Sequence, residues 1–214
     1  MDKEVTIIGG GLAGCEAAYQ IAKQGIKVKL YEMKPTKFSE AHSNKDLAEI
    51  VCSNSFKSNL HTNACGLLKE ELRLLDSLLI KCADETAVPA GQALAVDREK
   101  FSSLVTKKIK ENPNIEIINE EYLGEELGFG KSEKKKVNSE ECNKIIVIAT
   151  GPLTSSTLAE NISKLTGEDR LYFYDAAAPI VAKDSIDMNI AFYRKSLWPR
   201  KRKRRRYWRL EKAY

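Results

Sequence analysis

The first thirty residues carry two different apolar patterns in quick succession. Residues 5–8 are a short apolar run that stops at Gly9, as buried strands often do. From 12 to 24, small and apolar side chains recur at helical spacing, and Gly25 is a typical helix end. Apolar residues then alternate with lysines over 26–31. The pattern predicts a strand, a helix and a second strand in one tight βαβ unit.

The rest of the chain gives weaker patterns. Residues 33–62 are polar and irregular, and loops of this length are more often functional than idle. Leucines and Cys82 recur at helical spacing over 64–83, which predicts a single amphipathic helix there. The other predicted elements are a helix capped by Asp97 and ended by Pro113, and strands at 115–118 and 145–149.

These elements predict an α/β fold. We expect a Rossmann-like core, in which a parallel sheet is flanked by helices, to occupy residues 1–193. Smaller elements are inserted in it at about 60–140. Residues 194–214 are predicted to be a separate, disordered basic tail.

Charge is distributed unevenly along the chain. The formal net charge is +5, but residues 194–214 alone carry +10, and residues 1–193 carry −5. In the tail, Trp198, Tyr207 and Trp208 flank seven consecutive basic residues, a composition that binds phosphate backbones unselectively. The basic character of the whole chain therefore says nothing about the partner of residues 1–193.

Composition also bears on the cellular compartment of the protein. Of the 214 residues 43% are hydrophobic, yet the longest uncharged stretch, 145–159, is too short to cross a membrane. The first residues lack the pattern of a signal peptide. Five cysteines without a CxxC pair are typical of reduced thiols. We therefore expect a cytoplasmic protein with no membrane segment.

A glycine motif at the end of the first predicted strand suggests dinucleotide binding. In the pattern Gly9-x-Gly11-x-x-Gly14, the first glycine allows a tight turn, the second lets the backbone approach a pyrophosphate and the third packs the helix against the strand. Glu32 ends the second strand, where an acid can accept hydrogen bonds from ribose hydroxyls and disfavours a 2′-phosphate. FAD or NAD therefore fits better than NADP. The predicted cofactor-binding residues are Gly9, Gly10, Gly11, Leu12, Ala13, Gly14 and Glu32.

The predicted strand at 145–149 runs into Ala149-Thr150-Gly151. In flavoproteins with two dinucleotide-binding domains, a buried strand with this ending brings the chain back to the cofactor. Alone, the segment is an ordinary strand before a glycine turn. Together with the glycine motif, it favours FAD over NAD.

Cys52 is the candidate catalytic residue. It lies within the long polar loop among serine and asparagine residues, where a thiol can act as a nucleophile or a base. The alternative is an ordinary buried cysteine. A zinc site is disfavoured because the spacing of His42, Cys52, His61 and Cys65 matches no structural zinc motif, so we expect no metal. Three further cysteines are predicted to be packing residues: Cys15, Cys82 and Cys142.

Several longer segments, in order and in spacing, resemble one family. The segments are residues 5–18, 31–35, 41–42, 51–56 (VCSNSF), 66–71, 89–99 (PAGQALAVDRE), 149–154 and 171–179. Together they resemble the bacterial folate- and FAD-dependent tRNA (uracil-5-)-methyltransferases, the TrmFO family. The glycine motif is shared with many flavoproteins, whereas the VCSNSF and PAGQALAVDRE segments are far more specific.

The resemblance implies a function. It implies methylation at C5 of the T-loop uridine of tRNA, with methylenetetrahydrofolate as the carbon donor. It also implies that reduced FAD, recharged by NAD(P)H, supplies the reducing equivalents. Residues 9–14 and Glu32 match the family's FAD-binding motif, and Cys52 matches a catalytic cysteine of the family.

The chain also departs from the family. Members are much longer, and the part without a counterpart here carries a second catalytic cysteine, much of the tRNA-binding surface and part of the FAD site. The resemblance stops after Phe192, which predicts a frameshift or a truncated reading frame. Two alternatives stay open: another FAD-dependent tRNA-modifying protein of the GidA type, and an inactive fragment that binds FAD or RNA.

Overall fold

The computed structural model describes residues 4–51, 53–124 and 145–167. Its strands and helices fall in these ranges. In chain order they are β1 (Glu4–Ile8), α1 (Leu12–Lys23), β2 (Lys27–Tyr31), β3 (Ser55–Ser58), α2 (Ala64–Leu74), α3 (Leu78–Glu85), β4 (Ala87–Val88), β5 (Ala93–Val96), α4 (Arg98–Lys110), β6 (Ile115–Ile118), β7 (Ile145–Ile148), a 3₁₀ turn (Gly151–Leu153) and α5 (Ser156–Thr166).

A four-stranded parallel sheet forms the core, in the order β6-β2-β1-β7. The central strand β1 pairs with β2 on one side and with β7 on the other; Ile7, for example, lies opposite Leu30 and Val147. The chain thus changes direction across the sheet at β1, and open α/β sheets bind ligands at the carboxyl ends of strands at such a point. The predicted α/β fold, including all four strands of this sheet, is confirmed.

A second, antiparallel sheet has the order β3-β5-β4. The expectation that 33–62 is irregular throughout is therefore wrong for β3. The strand is only four residues long, and among them only Phe56 is apolar, so alternation could not indicate it. Phe56 packs against Phe101 of α4 with ring centroids 5.5 Å apart, a contact across 45 positions of sequence that fixes the strand.

The single helix predicted over 64–83 is also wrong. The structure breaks it into α2 and α3 at Leu75-Asp76-Ser77, where Asp76 takes a positive φ of 63°. The Ser77 hydroxyl then accepts from the Ile80 N–H and caps α3. Glu16 of α1 reinforces the new helix start, because its carboxylate accepts from the backbone N–H groups of Leu78 and Leu79.

The break changes which leucines are buried. On the predicted apolar face, Cys82 is buried but Leu68 and Leu75 are 55% and 69% exposed. Leu75 is the C-cap residue of α2, and the turn that follows it separates the two helices. The predicted apolar face therefore joined exposed leucines of α2 to buried residues of α3, which do not lie on one helix.

Helix α4 forms as predicted. Asp97 is its N-cap and accepts from the Lys100 N–H at 3.2 Å. Phe101, Val105 and Ile109 are fully buried along one face, and each buried side chain of this kind contributes about 1.5–3 kcal/mol. The helix packs against α1, α3 and β6 and so covers one face of the parallel sheet.

Some predictions concern parts of the chain outside the described residues. These are the domain boundary at 193, the basic tail at 194–214, and the packing role of Cys142. Among the described helices, none is both long and apolar enough to cross a membrane.

Candidate functional site

The glycine loop between β1 and α1 is held by close contacts on both sides. Gly9 has a φ of 103°, and a Cβ there would lie 2.7 Å from the Ala149 carbonyl oxygen. A Cβ at Gly14 would lie 1.8 Å from the carbonyl oxygen of Gly9. Any larger residue at either position would therefore push the loop away from β7 or α1 away from the loop.

Gly11 differs from these two glycines. It is the N-cap of α1, and among the described residues a Cβ there would meet no atom within 4 Å apart from its chain neighbours. The backbone at Gly11 thus faces open space, and the first N–H groups of α1 have no intrahelical partner. A helix start of this kind can approach a phosphate group closely and donate to it.

Glu32 lies directly beside the glycine loop. Its Oε2 accepts from the Gly10 N–H at 2.9 Å, and its Oε1 accepts from the Lys34 N–H at 3.0 Å. The residue is only 8% exposed. Each carboxylate oxygen has two acceptor positions, so both oxygens keep one for a further donor such as a ribose hydroxyl.

A cavity of about 360 Å³ lies against this loop at the carboxyl ends of the strands. Six of the seven predicted cofactor-binding residues line it. Gly14 is the exception, because it packs beneath the loop against Gly9. The lining residues from the predicted set are Gly9, Gly10, Gly11, Leu12, Ala13 and Glu32.

The opposite wall comes from the segment after β7. Ala149, Thr150 and Gly151 all line the cavity, so the predicted return of the chain to the glycine loop is present. The Ala149 N–H donates to the Ile8 carbonyl oxygen at 2.8 Å, which ties the end of β7 to the end of β1. The 3₁₀ turn and the start of α5 extend this wall.

Two tyrosines close the side of the cavity near β2. Tyr31 and Tyr122 both line it, and their rings meet edge to face with centroids 5.0 Å apart. Glu121 also lines the cavity and forms an ion pair with Lys37 at 2.7 Å. The two tyrosine rings thus form an apolar surface, and the Glu121 carboxylate lies beside it.

The candidate catalytic residue, Cys52, lies outside the described residues. Its chain neighbour Val51 lines the cavity. Of the cysteines predicted to be packing residues, Cys15 and Cys82 are fully buried, as expected. Burial raises the pKa of the Cys15 thiol to about 12 and that of Cys82 to about 11. Neither is a reactive thiol.

Sequence reasoning missed a buried lysine in the cavity wall. The Nζ of Lys34 donates to the carbonyl oxygens of Asn44 and Asp46 at 3.0 and 2.6 Å, and lies 3.3 Å from Oε2 of Glu49. Its side chain is 4% exposed. The other oxygen of Glu49 accepts from the N–H groups of Ser43 and Asn44, each at 3.0 Å. A lysine is normally read as an exposed residue, and its partners here lie 10 to 15 positions away, so no local pattern could indicate that it is buried.

His42 also lines the cavity, and Ser39 contacts its Nδ1 at 2.6 Å. Burial lowers the pKa of His42, and the Lys34 ammonium lowers it further. The carboxylates of Glu49 and Glu32 act in the opposite direction without reversing the shift. For Glu49 itself, burial raises the pKa, but the hydrogen bonds it accepts and the nearby Lys34 outweigh burial and lower it.

Within the described ranges, no three His, Cys, Asp or Glu side chains are grouped so as to hold a metal ion. The described cavity offers groups of the kind that bind dinucleotides. It combines an open helix N-terminus, a carboxylate with spare acceptor positions and an apolar wall.

Comparison with known proteins gives one family and a set of close relatives. The model of the family described as "Glucose inhibited division protein A" matches residues 4–207. Three relatives carry the name methylenetetrahydrofolate–tRNA-(uracil-5-)-methyltransferase TrmFO. They come from Acetivibrio thermocellus (57% identical over 188 residues), Fusobacterium nucleatum (57% over 193) and Lactobacillus gasseri (56% over 196).

The aligned regions include 88%, 90% and 92% of this chain. They include only 40%, 41% and 41% of the respective relatives. The chain therefore spans about two fifths of the length of the curated relatives that it matches. The resemblance to TrmFO proteins stated from the sequence is confirmed.

Proposed function

Because the chain belongs to the glucose inhibited division protein A family, we propose that its cavity binds FAD. The observation that carries this proposal is the open backbone at Gly11 beside the Glu32 carboxylate. Gly9 and Gly14 are needed by the fold itself, since a Cβ at either would collide with backbone. No such collision arises at Gly11 among the described residues, and a ligand that approaches the backbone gives a reason for glycine there.

Different residues of the chain would bind different parts of the cofactor. The first N–H groups of α1, at Leu12 and Ala13, face the pyrophosphate together with the positive end of the helix dipole. Glu32 accepts from the ribose hydroxyls with its two free acceptor positions. Tyr31 and Tyr122 provide an apolar contact surface on the same side. Gly14 keeps α1 close enough for these groups to meet.

The activity we propose is methylation of C5 of the T-loop uridine in tRNA, with methylenetetrahydrofolate as the carbon donor. Support comes from relatives of that name at 56–57% identity. When bound, FAD would supply the reducing equivalents, and NAD(P)H would restore them. The protein would act in the cytoplasm, where its tRNA substrate is found.

We assign the catalytic thiol to Cys52. It follows Val51, which lines the cavity, so its place in sequence is adjacent to the proposed cofactor site. Cys15 and Cys82 are excluded from this role by burial and by their raised pKa values. A thiolate at position 52 would either attack an electrophilic carbon or accept a proton.

A second candidate function is FAD and RNA binding without turnover. The described cavity offers groups that would hold a dinucleotide, and this candidate needs no catalytic step beyond binding. Within the matched family, a protein of the GidA type is less well supported than one of the TrmFO type, because the relatives at 56–57% identity are named as TrmFO proteins.

One experiment separates these candidates. The purified chain is incubated with FAD, NADPH, methylenetetrahydrofolate and an unmodified tRNA transcript, beside Cys52→Ser, and 5-methyluridine is measured by mass spectrometry. Product with the wild type and none with Cys52→Ser supports the methyltransferase. A flavin spectrum and salt-sensitive tRNA binding without product support the binding fragment. A chain that takes up no FAD contradicts both.

A further inference from the structure

Three carboxylates line the cavity: Glu32, Glu49 and Glu121. A dinucleotide carries a negatively charged pyrophosphate, so an acidic wall opposes its entry. Glu121 is paired with Lys37 at 2.7 Å. Glu32 and Glu49 have a different neighbour in common, the buried Lys34, which is the one lysine among the residues that line the described cavity.

Lys34 is connected to both of these carboxylates. Its backbone N–H donates to Oε1 of Glu32 at 3.0 Å, and its Nζ lies 3.3 Å from Oε2 of Glu49. The side chains of Lys34 and Glu49 are only 4% and 11% exposed, so water screens their interaction weakly. The ammonium therefore offsets the charge of Glu49 in the wall of the cavity.

The same ammonium also fixes the shape of the wall. It donates to the Asn44 and Asp46 carbonyl oxygens, and Glu49 accepts from the Ser43 and Asn44 N–H groups. With Glu49 as the third acceptor, all three N–H donors of the lysine are used. The segment 43–49 is thereby closed on itself.

Segment 43–49 packs directly against the glycine loop. The Ala48 N–H donates to the Gly10 carbonyl oxygen at 2.8 Å, and Leu47 is so close that a Cβ at Gly10 would lie 2.6 Å from it. The Asn119 side chain donates to the Lys34 carbonyl oxygen at 2.6 Å and ties the same residue to the end of β6. Lys34 thus binds both Glu32 and segment 43–49, and through that segment it is connected to the glycine loop.

We propose that Lys34 is a positioning residue of the cofactor cavity, which holds segment 43–49 against the glycine loop and offsets the Glu49 charge so that an anionic dinucleotide can bind. The proposal rests on the proposed function, because it takes FAD as the ligand. Lys34 acts through Glu49 and the backbone, and no bond to the cofactor is assigned to it.

The first test measures FAD affinity by titration of flavin fluorescence for four proteins: wild type, Lys34→Met, Glu49→Gln and the double variant. Lys34→Met removes the charge, keeps most of the volume, and is expected to weaken FAD binding about tenfold or more. The double variant no longer leaves an unpaired carboxylate, so it should bind FAD more tightly than Lys34→Met. A double variant that binds as weakly as Lys34→Met, or more weakly, would overturn the proposal.

The matched control is Lys81→Met. Lys81 is exposed and paired with Asp76, away from the cavity lining, so its loss should leave the FAD affinity unchanged. All titrations are run at a temperature where thermal unfolding shows each variant to be folded. A Lys34→Met variant that is less stable but binds FAD like the wild type has lost structural support only, and the proposal fails.

A second test needs no cofactor. The chain has only two histidines, and their ring protons can be titrated by NMR. His42 lies in the cavity wall and faces Lys34, Glu49 and Glu32, whereas His61 is exposed beside Glu70. Lys34→Met should raise the pKa of His42 and Glu49→Gln should lower it, while His61 serves as the internal reference.

Shifts of opposite sign in the two variants would support Lys34 as the charge that offsets Glu49, since general loosening of the wall would move both variants alike. An unchanged His42 in Lys34→Met would contradict the proposal. If the wild type fails to bind FAD, the proposed function fails, and the histidine titration alone then decides whether Lys34 sets the charge of the cavity.

Discussion

Cys15 lies in the first turns of α1, and its Sγ donates to the Gly10 carbonyl oxygen at 3.3 Å. A thiol near a helix N-terminus often has a lowered pKa. Here burial dominates, the Glu32 carboxylate adds to it, and the pKa of Cys15 rises to about 12. The side chain packs the glycine loop onto the helix and does not supply a thiolate.

We therefore predict that Cys15 resists alkylation. In the native protein at pH 8, iodoacetamide should modify the partly exposed Cys65 before it modifies Cys15, since modification requires the thiolate. Peptide mass spectrometry after a timed quench measures both sites. The denatured protein, in which both cysteines should react, is the control. Native Cys15 that reacts as fast as Cys65 would show that the loop does not seal the thiol.

The helices and strands of the βαβ unit could be predicted because their signals are local. The apolar run at β1, the spacing along α1 and the glycine at 25 lie within a few residues of the structure that they specify. The break between α2 and α3 could not be predicted in this way. It is reinforced by Glu16, which lies 61 to 63 positions away from the residues that it caps.

Glu16 gives a prediction for this element. Its carboxylate accepts from the Ser77 hydroxyl and from the Leu78 and Leu79 N–H groups at 2.8 to 3.2 Å. Glu16→Ala leaves the start of α3 without these acceptors and should lower the free energy of unfolding by about 1–3 kcal/mol. Urea unfolding followed by circular dichroism measures the change. Glu71→Ala, at an exposed position of α2, is the control, and an equal loss in both variants would contradict the capping role.

At the scale of the molecule, the cavity is assembled from segments that are far apart in sequence. The glycine loop and Glu32 could be predicted because a short motif carries both. The contributions of Lys34, His42 and Glu49 could not, because they arise when segment 43–49 folds back onto the loop. The loop and the acid of the proposed dinucleotide site could thus be predicted from the sequence, whereas the charged residues of the cavity wall beside them could not.

This wall predicts how stability depends on pH. The pKa of His42 is lowered in the folded state, and so is that of Glu49, so the unfolded chain binds more protons than the folded chain as pH falls. Stability should be complete above the unfolded pKa of histidine, about 6.5, and should decrease below it, with a further decrease below about 4.5 from Glu49. Thermal unfolding between pH 8 and pH 4 measures this dependence.

The control variant is His42→Gln, which cannot gain a proton. It should flatten the dependence between pH 7 and pH 5 and leave the decrease at lower pH in place. A wild type whose unfolding temperature is constant from pH 7 to pH 5 would show that His42 titrates alike in both states.

We propose that the backbone at Gly11 is open because a dinucleotide occupies the space. The most direct measurement is the dissociation constant for FAD of the wild type and of Gly11→Ala, with the unfolding temperature of each protein recorded without FAD. A methyl group at Gly11 meets no atom beyond its chain neighbours within 4 Å among the described residues, so the unfolding temperature should change little. It would meet the pyrophosphate, so the dissociation constant should rise about tenfold or more.

Gly14→Ala is the control. Its new Cβ would lie 1.8 Å from the Gly9 carbonyl oxygen, so this variant should unfold at a lower temperature even without FAD. Gly11→Ala binding FAD as tightly as the wild type would contradict the claim.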